Sequence, residues 1–468
     1  MLRHWVETRN EHLRGQGNNL PVPHPGGVFT GALMKKTAMT KAALLALATF
    51  GASAAFAQSS LTIYGNIDIG LDNVNKGQGN VSGTTLGAVP ALSAAFSNKS
   101  TVTRLSSSIS SVNALGFRGV EDLGGGYKGG FVLEGQFQVD TGAQSGQDGR
   151  MWGRQAFVSL TTPGGEIRLG RQYAPMFFTF AFTTVEALGG ADIQGSGLIV
   201  NNLQVRQDNQ VSYWLKTGGL TAALSYATNA GVDAAVSSSR GQAAGSTSGQ
   251  IIGGQTAGNE TPNSGNRGQT FGLFVNYAFD PGFLINGSYH SNKFGDARLV
   301  SGALTWADLD KYESFAIGSK YTIPGAGTIL SGIFHQGKFT NDSGNNEGPK
   351  INTWALGVKQ PIGNFAVGAQ FAQSKFANFT EGKDTSLMLI GDYNFSKRTK
   401  LYIRAGYAKD EAGNTAATGR ATPGGGVRGG PLPLLTGFGS LETPFFSGGG
   451  ANVDATTRVV AIGVRHQF

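Results

Sequence analysis

The chain has 468 residues, 73 of them glycine and none cysteine, with 14% charged residues and a formal net charge of +8. Lack of cysteine excludes a disulfide framework, a thiolate metal site and a cysteine nucleophile, and it suits a chain that crosses an oxidising compartment unfolded. The positive charge gathers into no Lys/Arg stripe, so nucleic acid is not an expected partner; high glycine without a collagen period points instead to many strands and turns.

Residues 1–33, with Pro21-Val22-Pro23-His24-Pro25, lack the features of a targeting segment. Met34 opens a different pattern: Lys35 and Lys36, an apolar core over 42–50, then Ala55-Phe56-Ala57. That pattern is a secretory signal peptide, with cleavage expected between Ala57 and Gln58. Two readings of 1–33 compete, a start codon placed too far upstream and a genuine extension with an unusual export route. We adopt the first, because Met34 alone supplies the basic start that a signal peptide needs. The expected organisation is a mis-assigned extension at 1–33, a signal peptide at 34–57 and one exported domain at 58–468. Residues 1–57 hold six basic and two acidic residues, so the exported part carries only half of the +8. No stretch approaches the ~20 apolar residues of a transmembrane helix.

Alternation begins at Leu61. Leu61, Ile63, Gly65, Ile67, Ile69 and Leu71 share one face, and Thr62, Tyr64, Asn66, Asp68 and Asp72 share the other. A period of two with a wholly polar second face fits a sheet between lipid and water. Phe271, Leu273, Val275, Tyr277 and Phe279 repeat the pattern, as do Leu401, Ile403, Ala405 and Tyr407. Tyr277, Phe279, Tyr393, Phe395 and Tyr407 lie near strand ends, where an aromatic girdle meets lipid headgroups; they are also simply strand-favouring residues. The chain ends in a strand, TTRVVAIGVRHQF, that can pair with the first.

The connections have a rhythm of their own. Seven tight turns are expected at 122–126, 163–165, 217–219, 280–282, 324–327, 361–364 and 396–399, each rich in residues that preset or relax φ. Between them fall longer links near 73–111, 141–150, 174–205, 230–267, 295–309, 341–349, 378–383 and 411–453. Short links at one rim and long ones at the other divide the chain into about sixteen strands, an outer-membrane barrel with an aqueous lumen. The link 174–205 is unusual: its only acids are Glu186 and Asp192, while Arg154, Arg168, Arg171 and Arg206 stand at its edges. Such a segment either folds inward, setting two carboxylates opposite a guanidinium wall, or is an ordinary surface loop.

The start SSLTIYGNIDIGL, the block LGFRGVEDLGGGYKGGFVLEGQFQVDTG, the pair GRQAFVSL and LGRQYAP, and the ending VRHQF resemble the general diffusion porins of Gram-negative outer membranes, the betaproteobacterial subgroup above all. The likeness spans 59–468 but not the loops. It implies an all-β, sixteen-stranded antiparallel transmembrane barrel in the outer membrane, among lipid and lipopolysaccharide. It also implies a homotrimer, one water-filled pore per subunit for small hydrophilic solutes and ions, a third external loop folded into the pore, and no cofactor. Phe468 is then the signal read by the barrel-assembly machinery.

By the same resemblance Arg154 and Arg206 match pore-wall arginines, Arg118 a further basic wall position, and Glu186 and Asp192 the constriction loop. Arg171 joins them as the weakest member, since alternation puts it with Ile167 and Leu169; it serves either the opening or the loop base. Asn66, Asp68 and Glu134 are expected to face the pore. Two departures lower the positive charge: Asn113-Ala114 stands where Ser-Arg is usual, and Asn66 where a basic residue is sometimes found. Four arginines against two acids then predict a mild anion preference.

Rival chemistries lack their residues. His290, His335 and His466 fall on three predicted strands without metal-ligand spacing or a histidine–carboxylate pair, so neither a metal site nor an enzyme is expected. A barrel-anchored adhesin would need aromatic and Arg anchors in the long loops. A solute-specific channel would carry an aromatic slide, and Trp152, Trp214, Trp306 and Trp354 are too scattered along the chain to define one.

Overall fold

The computed structural model describes residues 59–78, 99–144, 150–185, 206–228, 269–279, 282–301, 304–341, 350–377, 382–411 and 455–468. Their strands are β1 (Ser60–Lys76), β2 (Ser100–Ser107), β3 (Ala114–Gly124), β4 (Tyr127–Gln136), β5 (Gln155–Thr162), β6 (Gly165–Tyr173), β7 (Arg206–Thr217) and β8 (Leu220–Ala227). They continue as β9 (Thr270–Phe279), β10 (Phe283–Ser301), β11 (Leu304–Thr322), β12 (Ile329–Asn341), β13 (Lys350–Ile362), β14 (Phe365–Ala377), β15 (Gly382–Asn394), β16 (Thr399–Asp410) and β17 (Thr456–Gln467). A helix, α1 (Pro175–Thr183), follows β6.

Sequence neighbours pair antiparallel all the way round, and β1 closes the ring on β17, with Asn66 opposite Gln467 and Lys76 opposite Thr457. The segments β2 and β3 both lie along β1, β2 opposite 69–76 and β3 opposite 60–66. They are two halves of one barrel strand broken at 108–113, so seventeen segments make a closed barrel of 16 strands. This pairing of the last strand with the first closes the sheet on itself, the arrangement by which strands cross lipid.

The alternation read from the sequence separates outside from inside. Leu61 and Ile63 are 64% and 57% exposed, whereas Asp68 and Asp72 are 0% and 1%. Val460 and Ile462 point outward from β17 while Val459 and Ala461 are buried. Apolar side chains on the outside need no protein partner because lipid tails replace water.

Six of the tight turns fall where expected, the seventh, at 280–282, lying outside the described residues but for Gly282. The six share a rim with the start of β1 and the end of β17: Ser60 pairs with Val120, and Thr399 with His466. At the first turn Gly124, Gly125 and Gly126 all have positive φ, 80°, 61° and 84°, which only glycine adopts freely in succession. Two long links are shorter than expected. The first is confined to 77–99, because β1 runs to Lys76, β2 starts at Ser100, and 108–113 is the break inside a strand. The link expected at 295–309 is strand, with β10 and β11 each 19 residues long and joined at 302–303. Strands of about twice the ~9–11 residues needed to span a bilayer run past the lipid, where alternation is no longer enforced, and two register shifts mark the change.

Pro at the first turn starts α1, and PMFFTFAFT is apolar on every side, the mark of a buried helix. It lies on inward-facing residues of β10 and β12. Thr179 is 2.7 Å from Ser288, Ser288 donates to Met176 Sδ at 3.0 Å, and the Phe180 ring centroid is 5.7 Å from that of His335. Around α1 an apolar cluster of Tyr173, Met176, Phe177, Phe180 and Ala181 packs on Ala316, Ile333, Ala355 and Ala372. The rest of the link, 186–205, lies outside the described residues, and Glu186 and Asp192 with it.

Candidate functional site

The charged centre of the lumen is assembled from β1, β3, β4, β6 and β7, with Arg154 just ahead of β5. Glu134 on β4 accepts from Arg154 Nε and, at 2.9 Å, from the Tyr64 hydroxyl of β1. Arg154 Nη2 donates to the Tyr173 hydroxyl at 2.6 Å, and Arg206 Nη2 reaches the same oxygen at 3.2 Å. Both guanidinium groups also lie over the Tyr173 ring, at 5.9 and 4.8 Å. Arg118, more exposed, stands 5.9 Å from the Tyr64 ring. Three of the expected arginines thus share one wall, held by two tyrosines and a carboxylate. Arg154 Nη1 and Arg206 Nε are buried and have no hydrogen-bond partner among the described residues.

Arg171 is not part of this wall. It keeps the parity of Ile167 and Leu169, donates to Gly153 O at 2.7 Å and pairs with Asp208, which also binds Arg150 at 2.8 Å. It ties the end of β6 to Asp208 at the start of β7. Glu134, expected only as one pore-facing acid among others, sits inside the arginine cluster.

Asp68 also differs from expectation. It points inward but is fully covered, because its carboxylate accepts the backbone N–H groups of Ile109, Ser110 and Ser111 at 3.0, 3.2 and 2.9 Å and the Tyr402 hydroxyl at 2.6 Å. An anion that gathers successive backbone N–H groups fixes a tight bend, so Asp68 clamps the break between β2 and β3 instead of offering charge to the pore. Asn66 does related work, donating to Val112 O at 3.0 Å and accepting from Arg465 Nε at 2.8 Å. Phe468 exchanges backbone hydrogen bonds with Gly65.

Two further groups were not legible in the sequence. On β13, β15 and β16, Lys359, Lys400 and Arg404 converge on Asp392 at 2.9, 3.1 and 2.9 Å, three cations around one carboxylate. Each is a single charge in an alternating strand, and only barrel register joins them. The second is a column of rings inside the lumen. Tyr173 stacks on Phe177 at 4.5 Å; Phe178 of α1 meets Trp214 at 4.8 Å; Trp214 carries Arg168 at 4.7 Å, and Arg168 also lies 5.3 Å from Phe157. Trp214, scattered from the other tryptophans in sequence, joins phenylalanines contributed by the helix. Among the described residues no cluster of His, Asp and Glu has the makings of a metal site.

A closed sixteen-strand barrel, apolar outside and lined with ion pairs inside, is an outer-membrane channel. The model of the Gram-negative porin family matches residues 42–413. The chain is 29% identical to outer membrane porin protein 32 of Delftia acidovorans over 437 residues, covering 92% of this chain and 100% of that one. It is 30% identical to an outer membrane porin of Bordetella pertussis over 398 residues, 81% of this chain and 95% of the relative. The solved structure of an anion-selective porin from Comamonas acidovorans shares the fold, with a TM-score of 0.60 at 24% identity, over 88% of this chain and 100% of that chain. This chain belongs to the Gram-negative porin family, and it is a diffusion channel of the outer membrane.

Proposed function

We propose that the channel passes small hydrophilic solutes and ions passively, with a mild preference for anions. The observation that supports it best is the arginine wall, where Arg118, Arg154 and Arg206 face one carboxylate, Glu134, and two buried guanidinium N–H groups await an acceptor. In a narrow, partly dehydrated opening such a field is weakly screened and governs which ions enter. Placing Glu186 and Asp192 opposite, on an inward-folded 174–205, brings the opening close to charge balance. Lys359, Lys400 and Arg404, gathered at Asp392 nearer the short-turn rim, add to the field along the path beside this near-balanced opening. This is why the bias is mild.

The same reading includes a homotrimer in a bilayer with lipopolysaccharide, Phe468 as the assembly signal, and a mature chain that begins at Gln58. The test is a reversal potential across a salt gradient in a planar bilayer, for the parent and for Arg154→Glu and Arg206→Glu. Anion preference that weakens or inverts in both variants is the expected result. A cation-selective parent overturns the reading. Liposome swelling with uncharged sugars supplies the second half of the test, since passage graded by size alone is the behaviour of a general diffusion pore.

A further inference from the structure

Pore interiors of this class are polar, yet here a run of rings leads from the arginine wall toward the short-turn rim. Tyr173 touches Arg154 and Arg206 at one end. Phe178 and Phe182 of α1, Trp214 of β7 and Phe274 of β9 continue it, with centroid separations of 4.8 to 6.1 Å. Phe274 is fully buried and accounts for packing, but Phe178, Phe182 and Trp214 are only partly covered on the lumen side. Arg168 ends the run. Its guanidinium carbon lies 4.7 Å from the Trp214 ring and 5.3 Å from that of Phe157, its Nη2 bonds Glu166 at 2.7 Å, and its buried Nε has no hydrogen-bond partner among the described residues.

We propose that this track is a subsite for aromatic carboxylates on their way through the channel. The ring of such a solute stacks on Phe178 and Trp214, and its carboxylate takes the edge of the Arg168 guanidinium in competition with Glu166. Both contacts follow from the chemistry of the lining: rings favour offset or edge contacts with another ring, and a guanidinium prefers a planar anionic acceptor. An aliphatic carboxylate of the same charge and size meets only half of the site. The proposal rests on the diffusion reading and adds a preference to it.

The experiment uses the purified channel in a planar bilayer and measures the concentration of added carboxylate that halves the single-channel chloride current. Benzoate is compared with cyclohexanecarboxylate, which has equal charge and greater hydrophobicity but no π face. Benzoate is expected to act at about tenfold lower concentration, the scale of one good aromatic contact. That ratio is expected to fall toward one in Trp214→Leu and in Phe178→Leu, two variants that report independently should either fail to insert. Arg168→Gln is expected to weaken both carboxylates together. A parent that conducts chloride but responds equally to the two acids overturns the subsite alone, as does a ratio unmoved by both ring substitutions. A parent that conducts no ions overturns the diffusion reading and the subsite with it.

Discussion

Gly65 and Phe468 lock the first strand of the barrel to the chain's last residue. Their backbones exchange hydrogen bonds at 3.1 and 3.2 Å, and a methyl group on Gly65 would stand 2.4 Å from Phe468 Cζ. The ring is the exposed end of a terminal residue, so a side chain at position 65 must displace it, and must also meet the backbone oxygen of Ala114 at 2.6 Å. Gly65→Val is expected to lower the fraction of barrel that migrates as folded on cold SDS gels, and Phe468→Ala in the same chain to restore part of it. An undiminished folded fraction in Gly65→Val would show that the terminal ring moves aside at no cost.

Asp68→Ala removes one acceptor from three backbone N–H groups and a hydroxyl. Leaving buried donors unpaired is expected to cost on the order of 3 kcal/mol, read as a lower denaturant midpoint in detergent. Loosening of 108–113 is expected to add noise to the open-channel current. Asp68→Asn keeps a carbonyl oxygen and is expected to lose less.

How much of this was legible beforehand depends on the distance over which each feature is decided. The tight turns are written in three to five adjacent residues, and the outer faces in a local period of two, so both could be read directly. Register between strands distant in sequence is not local. It brings Lys359, Lys400 and Arg404 to Asp392, and Trp214 to a helix that begins at Pro175. The link expected at 295–309 misled because polar residues mark both a loop and a strand that has left the lipid. Asp68 misled because parity gives the side on which a residue stands, and says nothing of what folds over it.

Phe180 joins α1 to the inner wall and is fully buried. Phe180→Ala is expected to cost about 3–5 kcal/mol through the cavity it leaves and, by freeing the helix, to raise single-channel conductance. Stability loss with unchanged conductance would place the narrowest point elsewhere.

Replacing Lys359 and Lys400 together by Gln deletes two cations beside Asp392. Selectivity is expected to shift toward cations, more at 0.1 M than at 1 M salt, because the screening length falls from ~10 Å to ~3 Å. Equal shifts at both concentrations would argue for steric effects.

N-terminal sequencing of protein extracted from outer membranes is expected to start at Gln58, after the small-residue site Ala55-Phe56-Ala57. Any of residues 1–33 in that preparation would remove the case for initiation at Met34.

The clamp at Asp68 has a consequence for the order of events during biogenesis. Its partners Ile109 to Ser111 lie about forty positions along the chain, but Tyr402 is 334 positions away. Bringing such remote groups together is slow and entropically costly, so this bond belongs to the last steps. Until the carboxyl-terminal strands arrive, the bend at 108–113 lacks its far anchor. A half-built barrel therefore differs from a finished one at a defined place near its own beginning, where a protease can tell the two apart.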